Sequence, residues 1–202
     1  MRTIGVLLYP QFEPLDAFGP VEAFAIAEIP DADPGAPPPF RVVTLAESLD
    51  PVAMRGGPRV LPDFDLGAAP PLEVLLVPGG PGARREVRNP VLLDFVRRQA
   101  GQARVVASIC TGAALLGVAG LLSGREATTN RRSFDWVIST CPGDIRWNRT
   151  ARWVDQGPVV TSAGVSAGTD MALHLVARLL GSAAADAAAK RMEHRWEREA
   201  GA

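Results

Sequence analysis

Short apolar runs, rich in β-branched residues, recur at residues 3–9, 40–45, 74–77, 104–109 and 159–162, two of them running directly into Pro. None alternates with period two, so they read as strands buried on both faces, which is what a parallel sheet covered by helices on each side requires. Between them lie stretches with 3.6-residue apolar spacing, clearest over 20–28, 90–99 and 111–122. The alternation predicts an α/β chain built on a doubly wound, mostly parallel sheet with helices on both faces. After residue 125 the pattern changes to short strands. A small hairpin is expected, with residues 152–154 turning at Asp155-Gln156-Gly157 into 159–162. Two helices then close the chain: one over 169–180 that stops at Gly181, and one capped by Ser182 that runs to about Glu199.

Size and charge narrow the function classes. The 202 residues, 47% hydrophobic, fit one domain over 1–202. Charges nearly cancel, 21 Lys+Arg against 22 Asp+Glu, so no global field draws the chain to nucleic acid or an anionic membrane. The basic pairs Arg84/Arg85, Arg97/Arg98 and Arg131/Arg132 read as solvated faces. The apolar run at 4–9 is too short to span a bilayer or to serve as a signal-peptide core. Two cysteines, Cys110 and Cys141, resemble neither a disulfide framework nor a zinc site, so a reducing cytoplasm is the expected compartment, with no metal. Residues 30–39 carry five prolines and no periodicity, and are expected to form an exposed loop.

In a doubly wound sheet, ligands sit beyond the carboxyl ends of the strands. That rule points to the turns at 10–20, 78–82, 110–112 and 162–168. In Ser108-Ile109-Cys110-Thr111-Gly112-Ala113-Ala114 a thiol stands where a buried strand turns into a small-residue helix, the arrangement of a nucleophile elbow. The positive end of the helix is expected to favour a thiolate there. A buried structural cysteine is the plain alternative. Val77-Pro78-Gly79-Gly80-Pro81-Gly82 can aim backbone N–H groups at a developing anion, or can simply be a tight turn. It has neither the helix-opening GxGxxG spacing of a dinucleotide site nor the GK[ST] of a P-loop. Asp16, in Leu15-Asp16-Ala17-Phe18-Gly19-Pro20, sits just before a helix expected to start at Pro20. It is either a turn residue or, if it faces Cys110, a carboxyl whose raised pKa suits proton transfer. The two histidines, His174 and His194, lie in predicted helices away from every strand end, which argues against a Cys-His triad. Cys141, Trp147 and Trp153 read as packing residues.

With these residues in view, the chain resembles the DJ-1/PfpI superfamily over nearly its whole length. The resemblance rests on Leu15-Asp16 with Gly19-Pro20, Val77-Pro78-Gly79-Gly80 and Ser108-Ile109-Cys110-Thr111-Gly112. It extends to Ala119-Gly120-Leu121-Leu122-Ser123-Gly124-Arg125 running into Ala127-Thr128-Thr129, and to Ala163-Gly164-Val165-Ser166-Ala167-Gly168-Thr169-Asp170. Within the superfamily it is most similar to the isocyanide (isonitrile) hydratases and the DJ-1-like domains of AraC-type regulators. The resemblance implies a flavodoxin-like fold and a homodimer. It implies Cys110 as nucleophile and Asp16 as acid/base, with Gly80 and Thr111 supplying oxyanion N–H groups. Gly79, Val165 and Asn130 would line the substrate pocket. Thr111 stands where PfpI-type peptidases carry histidine. Hydratases of the family read Thr-Thr-His-Trp where this chain has Thr128-Thr129-Asn130-Arg131.

The function expected from these residues is hydration of an isocyanide to an N-substituted formamide through a Cys110 thioimidate, without cofactor or metal and with a small electrophile as the only partner besides a second subunit. Two alternatives use the same thiol: a non-catalytic redox or ligand sensor, and glyoxalase-like action on α-oxoaldehydes.

Overall fold

The computed structural model describes residues 1–33 and 35–201. In chain order the strands are β1 (Arg2–Leu7), β2 (Phe40–Ala46), β3 (Val52–Ala53), β4 (Arg59–Val60), β5 (Phe64–Asp65), β6 (Val74–Val77), β7 (Val105–Ile109), β8 (Glu126–Ala127), β9 (Arg146–Trp147), β10 (Trp153–Asp155) and β11 (Val159–Ser162). The helices are α1 (Pro14–Ala25), α2 (Ala83–Glu86), α3 (Pro90–Ala100), α4 (Gly112–Val118), α5 (Phe134–Thr140), α6 (Val165–Leu180) and α7 (Ser182–Arg191).

Seven strands form one sheet in the order β10-β11-β7-β6-β1-β2-β5. Every neighbouring pair is parallel except β10 with β11, which is the expected hairpin. The strands β6, β7 and β11 are buried at every residue, as is β1 from Ile4 onward. Their sequences are mainly apolar because both faces are covered, with Ser108, Thr161 and Ser162 as the buried polar exceptions. β2 lies nearer the edge and mixes buried with exposed positions. Two small sheets, β3–β4 and β8–β9, stand outside the main one. Chain order reverses between β1 and β6, since β2 is added on one side of β1 while β6, β7 and β11 extend the other. The crevice beyond Leu7, Val77, Ile109 and Ser162 is therefore where the fold opens for a ligand.

Three boundaries differ from expectation, each for a physical reason. The first helix begins at Pro14, which takes the opening position, and Pro20 lies inside it. Pro20 has no N–H for the Asp16 carbonyl, and the loss is tolerated in the early turns of a helix packed along α6. Asp16 thus sits in the first helical turn rather than ahead of the helix. Helix α4 closes at Val118 instead of near 122, with Ala119 as its cap. The last helix ends at Arg191, not about 199. Beyond it Glu193 takes a φ of +51° and the chain folds back, so that His194 Nε2 and the Glu197 N–H both reach the buried Asp170 carboxylate.

The stretch 30–39 is an exposed loop on either side of Pro34, which lies outside the described residues; only Pro39 is half-buried. Among the described residues no helix is long and apolar enough to cross a membrane.

Candidate active site

The strand β7 delivers its chain to Cys110 in a left-handed conformation, φ +56°, uncommon for a residue with a side chain. Three contacts hold it there. The Cys110 N–H donates to the Ser162 carbonyl at 3.1 Å, extending the β7–β11 ladder by one residue. The Thr129 hydroxyl, fully buried, donates to the Cys110 carbonyl at 2.7 Å. Gly112 opens α4 so close to the preceding turn that a Cβ there would collide with the Val77 carbonyl. The Thr-Thr pair also acts through Thr128, whose N–H donates to Thr161 Oγ1 at 2.9 Å and ties the stretch before Asn130 to β11.

Asp16 is fully buried and comes to the same point from α1. The Gly79 N–H donates to its Oδ2 at 3.0 Å, while Oδ1 has no conventional partner. Gly79 is required at this crossing, because a Cβ would lie 2.5 Å from the Thr111 nitrogen and 3.0 Å from the Asp16 carboxylate. Tyr9 fastens the turn after β1 to the turn after β6, its hydroxyl donating to the Pro78 carbonyl at 2.5 Å.

Burial pushes the Asp16 carboxyl up to about 7; the Gly79 N–H works against the rise, the Glu13 charge adds to it, and the Cys110 thiol opposes it as a donor. Burial likewise pushes the Cys110 thiol up to about 12, and the Asp16 charge adds to the rise, while the Thr111 N–H and hydroxyl act the other way. The two groups behave as a pair that releases one proton near 7 and keeps a second to about 12. This corrects the expectation of a thiolate stabilised by the helix end. The helix has only seven residues, and desolvation together with a neighbouring carboxylate raises the thiol.

Both expected oxyanion donors are engaged when the cavity holds no ligand. The Gly80 N–H donates to Thr111 Oγ1 at 2.9 Å, and the Thr111 N–H is directed at the Cys110 sulfur. Neither is free in the resting site. Use of Gly80 would require the Thr111 side chain to rotate away.

Cys110, Thr111, Gly80, Asn130 and Val165 all line one cavity of about 460 Å³, and Gly79 stands behind it as the donor to Asp16. Asn130 caps the short turn at 131–133 with its Oδ1, which accepts from the Ser133 N–H at 3.1 Å. Its NH2 group makes no hydrogen bond within the described residues. Neither histidine lines the cavity: His174 is held by Asp155 at 2.7 Å and His194 by Asp170 at 2.8 Å. Cys141 packs against Gly117, and Trp147 meets Phe134 edge-on, both away from the cavity.

Six lining residues were not apparent as site residues in the sequence: Glu13, Arg55, Arg84, Arg132, Ser133 and Trp136. Arg55 pairs with Glu13 at 2.7 Å. The Arg84 guanidinium lies 4.2 Å from the centre of the Trp136 ring. The basic pairs read as solvated faces are therefore divided. Arg85 turns to Glu86 and Arg131 to the Thr150 and Ala151 carbonyls, while Arg84 and Arg132 face the cavity.

Comparison with known proteins shows the family of the chain. The DJ-1/PfpI family model matches residues 2–178. An isonitrile hydratase of Pseudomonas putida is 36% identical over 178 residues, 88% of this chain and 72% of that protein. The HTH-type transcriptional regulator CdhR of Pseudomonas aeruginosa is 31% identical over 175 residues, 87% of this chain and 50% of that protein. The crystal structure of a THiJ/PfpI family protein from Pseudomonas syringae superposes with a TM-score of 0.83 at 31% identity, covering 97% of this chain and 76% of that one.

Proposed function

The chain belongs to the DJ-1/PfpI family, and on that premise we propose that it is an isocyanide hydratase-like enzyme in which Cys110 is the nucleophile and Asp16 the acid/base. The observation that carries the reading is the buried Asp16–Cys110 pair, which at neutral pH holds one proton between two groups poised to exchange it. Sulfur adds to the terminal carbon of the isocyanide as the thiol proton passes to Asp16. Asp16 then gives that proton to the same carbon, leaving a thioimidate, R–N=CH–S–Cys110. Water adds to the thioimidate carbon, its proton taken up by Asp16. Asp16 gives that proton to the nitrogen, and as the carbon–sulfur bond breaks the hydroxyl proton passes to the departing sulfur, which releases R–NH–CHO and the thiol. Atoms balance as isocyanide plus water to formamide, and Asp16 ends as it began.

The alternatives draw less support. A peroxide sensor works through an exposed thiolate, whereas burial holds this thiol up to about 12. Glyoxalase-like chemistry is favoured by a histidine beside the thiol, and both histidines are engaged by aspartates elsewhere.

The test is formamide production from cyclohexyl isocyanide, followed by NMR, for the wild type, Cys110→Ala and Asp16→Asn. Turnover abolished by Cys110→Ala and reduced by about 10²–10⁴ in Asp16→Asn is the expected result. Turnover that survives Cys110→Ala overturns the reading.

A further inference from the structure

The rim of the cavity carries three arginines, Arg55, Arg84 and Arg132, against one carboxylate, Glu13. The Glu13–Arg55 pair cancels, which leaves Arg84 and Arg132 without a carboxylate partner among the described residues. They reach the rim from separate segments, Arg84 on α2 just after the Gly-rich turn and Arg132 two residues beyond Asn130. Arg84 is also positioned. Lying over Trp136 positions the guanidinium, while its N–H donors remain available for a planar, bidentate acceptor. Asn130 adds an amide NH2 on the same wall. An isocyanide and a formamide are both neutral, so the reacting group makes no use of two uncompensated cations. What matches a positioned guanidinium beside a second arginine is a carboxylate.

We propose that the substrate carries a carboxylate on the far side of the molecule from its isocyanide, read by Arg84 and Arg132 while the isocyanide carbon meets Cys110. The turnover arm of this proposal rests on the hydratase reading above; its binding arm does not. The anion sets orientation as well as affinity, because a substrate held at its tail presents its reacting carbon to the elbow.

The experiment compares isocyanoacetate with its methyl ester as substrates of the wild type. Alongside, calorimetry measures binding of N-formylglycine and its methyl ester to Cys110→Ala. The acid is expected to be preferred by about tenfold or more in kcat/KM, mainly through KM, as charge-assisted hydrogen bonding implies. Raising the salt concentration should erode the preference, since both arginines are exposed. In the double variant Arg84→Gln/Arg132→Gln the acid-to-ester ratio should fall toward one, with thermal melting used to confirm that the variant is folded. The charge-reversed Arg84→Glu/Arg132→Glu should turn the preference against the acid.

Equal use of acid and ester by the wild type, with no binding preference, overturns the proposal and leaves the hydratase reading intact. If neither isocyanide is turned over but N-formylglycine binds more tightly than its ester in an arginine-dependent way, the hydratase reading fails and the anion site stands. A preference for the acid that survives both arginine variants also overturns it.

Discussion

The Thr129 hydroxyl donates to the carbonyl of Cys110 at 2.7 Å, and so a side chain nineteen residues away helps to hold the one cysteine whose backbone is left-handed. The conformation that lifts the thiol to the end of the sheet is stabilised by tertiary contacts rather than by local preference, since a non-glycine residue there carries a local penalty.

Thr129→Val keeps the shape of the side chain and leaves the buried Cys110 carbonyl without its donor. The expected cost is about 1–3 kcal/mol in urea unfolding, with a further loss of turnover as the sulfur shifts. Thr129→Ser should recover most of both. No change in unfolding midpoint for the valine variant would show that the hydrogen bond does not support the elbow.

Asp16 makes stability fall with rising pH. Its folded-state pKa, about 7, lies above the unfolded value of 3.8, so between those limits the native protein holds a proton that the unfolded chain has lost. The unfolding free energy therefore declines through that interval, by about 4 kcal/mol in all at about 1.36 kcal/mol per pH unit. Asp16→Asn should match the wild type near pH 4 and exceed it at pH 8, as read from paired denaturation curves. A wild-type excess at pH 8 would contradict the assigned direction.

The same carboxyl sets the pH–rate profile. Asp16 must be ionised to accept the thiol proton, so kcat/KM for an isocyanide should rise through about pH 7 and level off above it. Whatever activity remains in Asp16→Asn should lack that step. A profile that falls through 7 would assign the protonated carboxyl as the working form.

Alkylation locates the proton in the resting pair. With the thiol pushed up to about 12, Cys110 should react with iodoacetamide at pH 7.5 more slowly than a free cysteine. Cys141, also pushed up to about 12 by burial, should be similarly slow. Peptide mapping resolves the two sites. Rapid, selective labelling of Cys110 would place the shared proton on Asp16 and revive the sensor reading.

Asp170 is 1% exposed and accepts from Arg152, His194 Nε2 and the Glu197 N–H, which draws the chain beyond α7 back onto the fold. Asp170→Ala leaves Arg152 and His194 without their common partner, at a cost of about 3–5 kcal/mol. Limited proteolysis should then cut between 193 and 200 far faster than in the wild type. An unaltered digestion pattern would mean that other contacts, such as the Arg152 N–H to the Ala200 carbonyl, suffice.

The central strands were legible because burial on both faces leaves only apolar residues in β6 and a single polar one, Ser108, in β7. Cys110 was legible for the same reason: it is the first residue beyond such a run. Asp16 was found, but its helix was not, because Pro20 reads as an opening position when Pro14 already occupies that place. The early end of α7 was hidden, since the pull on His194 comes from Asp170, twenty-four residues back. Least legible was the cavity rim. Arg55, Arg84, Arg132 and Trp136 come from four segments, and no local pattern separates an arginine facing a cavity from one facing water. The one available signal was position, as Arg84 follows directly on the glycine-rich turn at the switch point.

The ties at Cys110 have a consequence for how this protein can discriminate among compounds. Its amide belongs to the hydrogen-bond ladder with β11 and its carbonyl to Thr129, so moving the backbone that carries the sulfur means breaking into the sheet itself. The thiol is a stationary target, unlike one carried on a mobile loop. Selectivity must then arise from how an incoming molecule is steered and seated along the opposite wall, where α2 and the segment after Asn130 supply the groups that meet it.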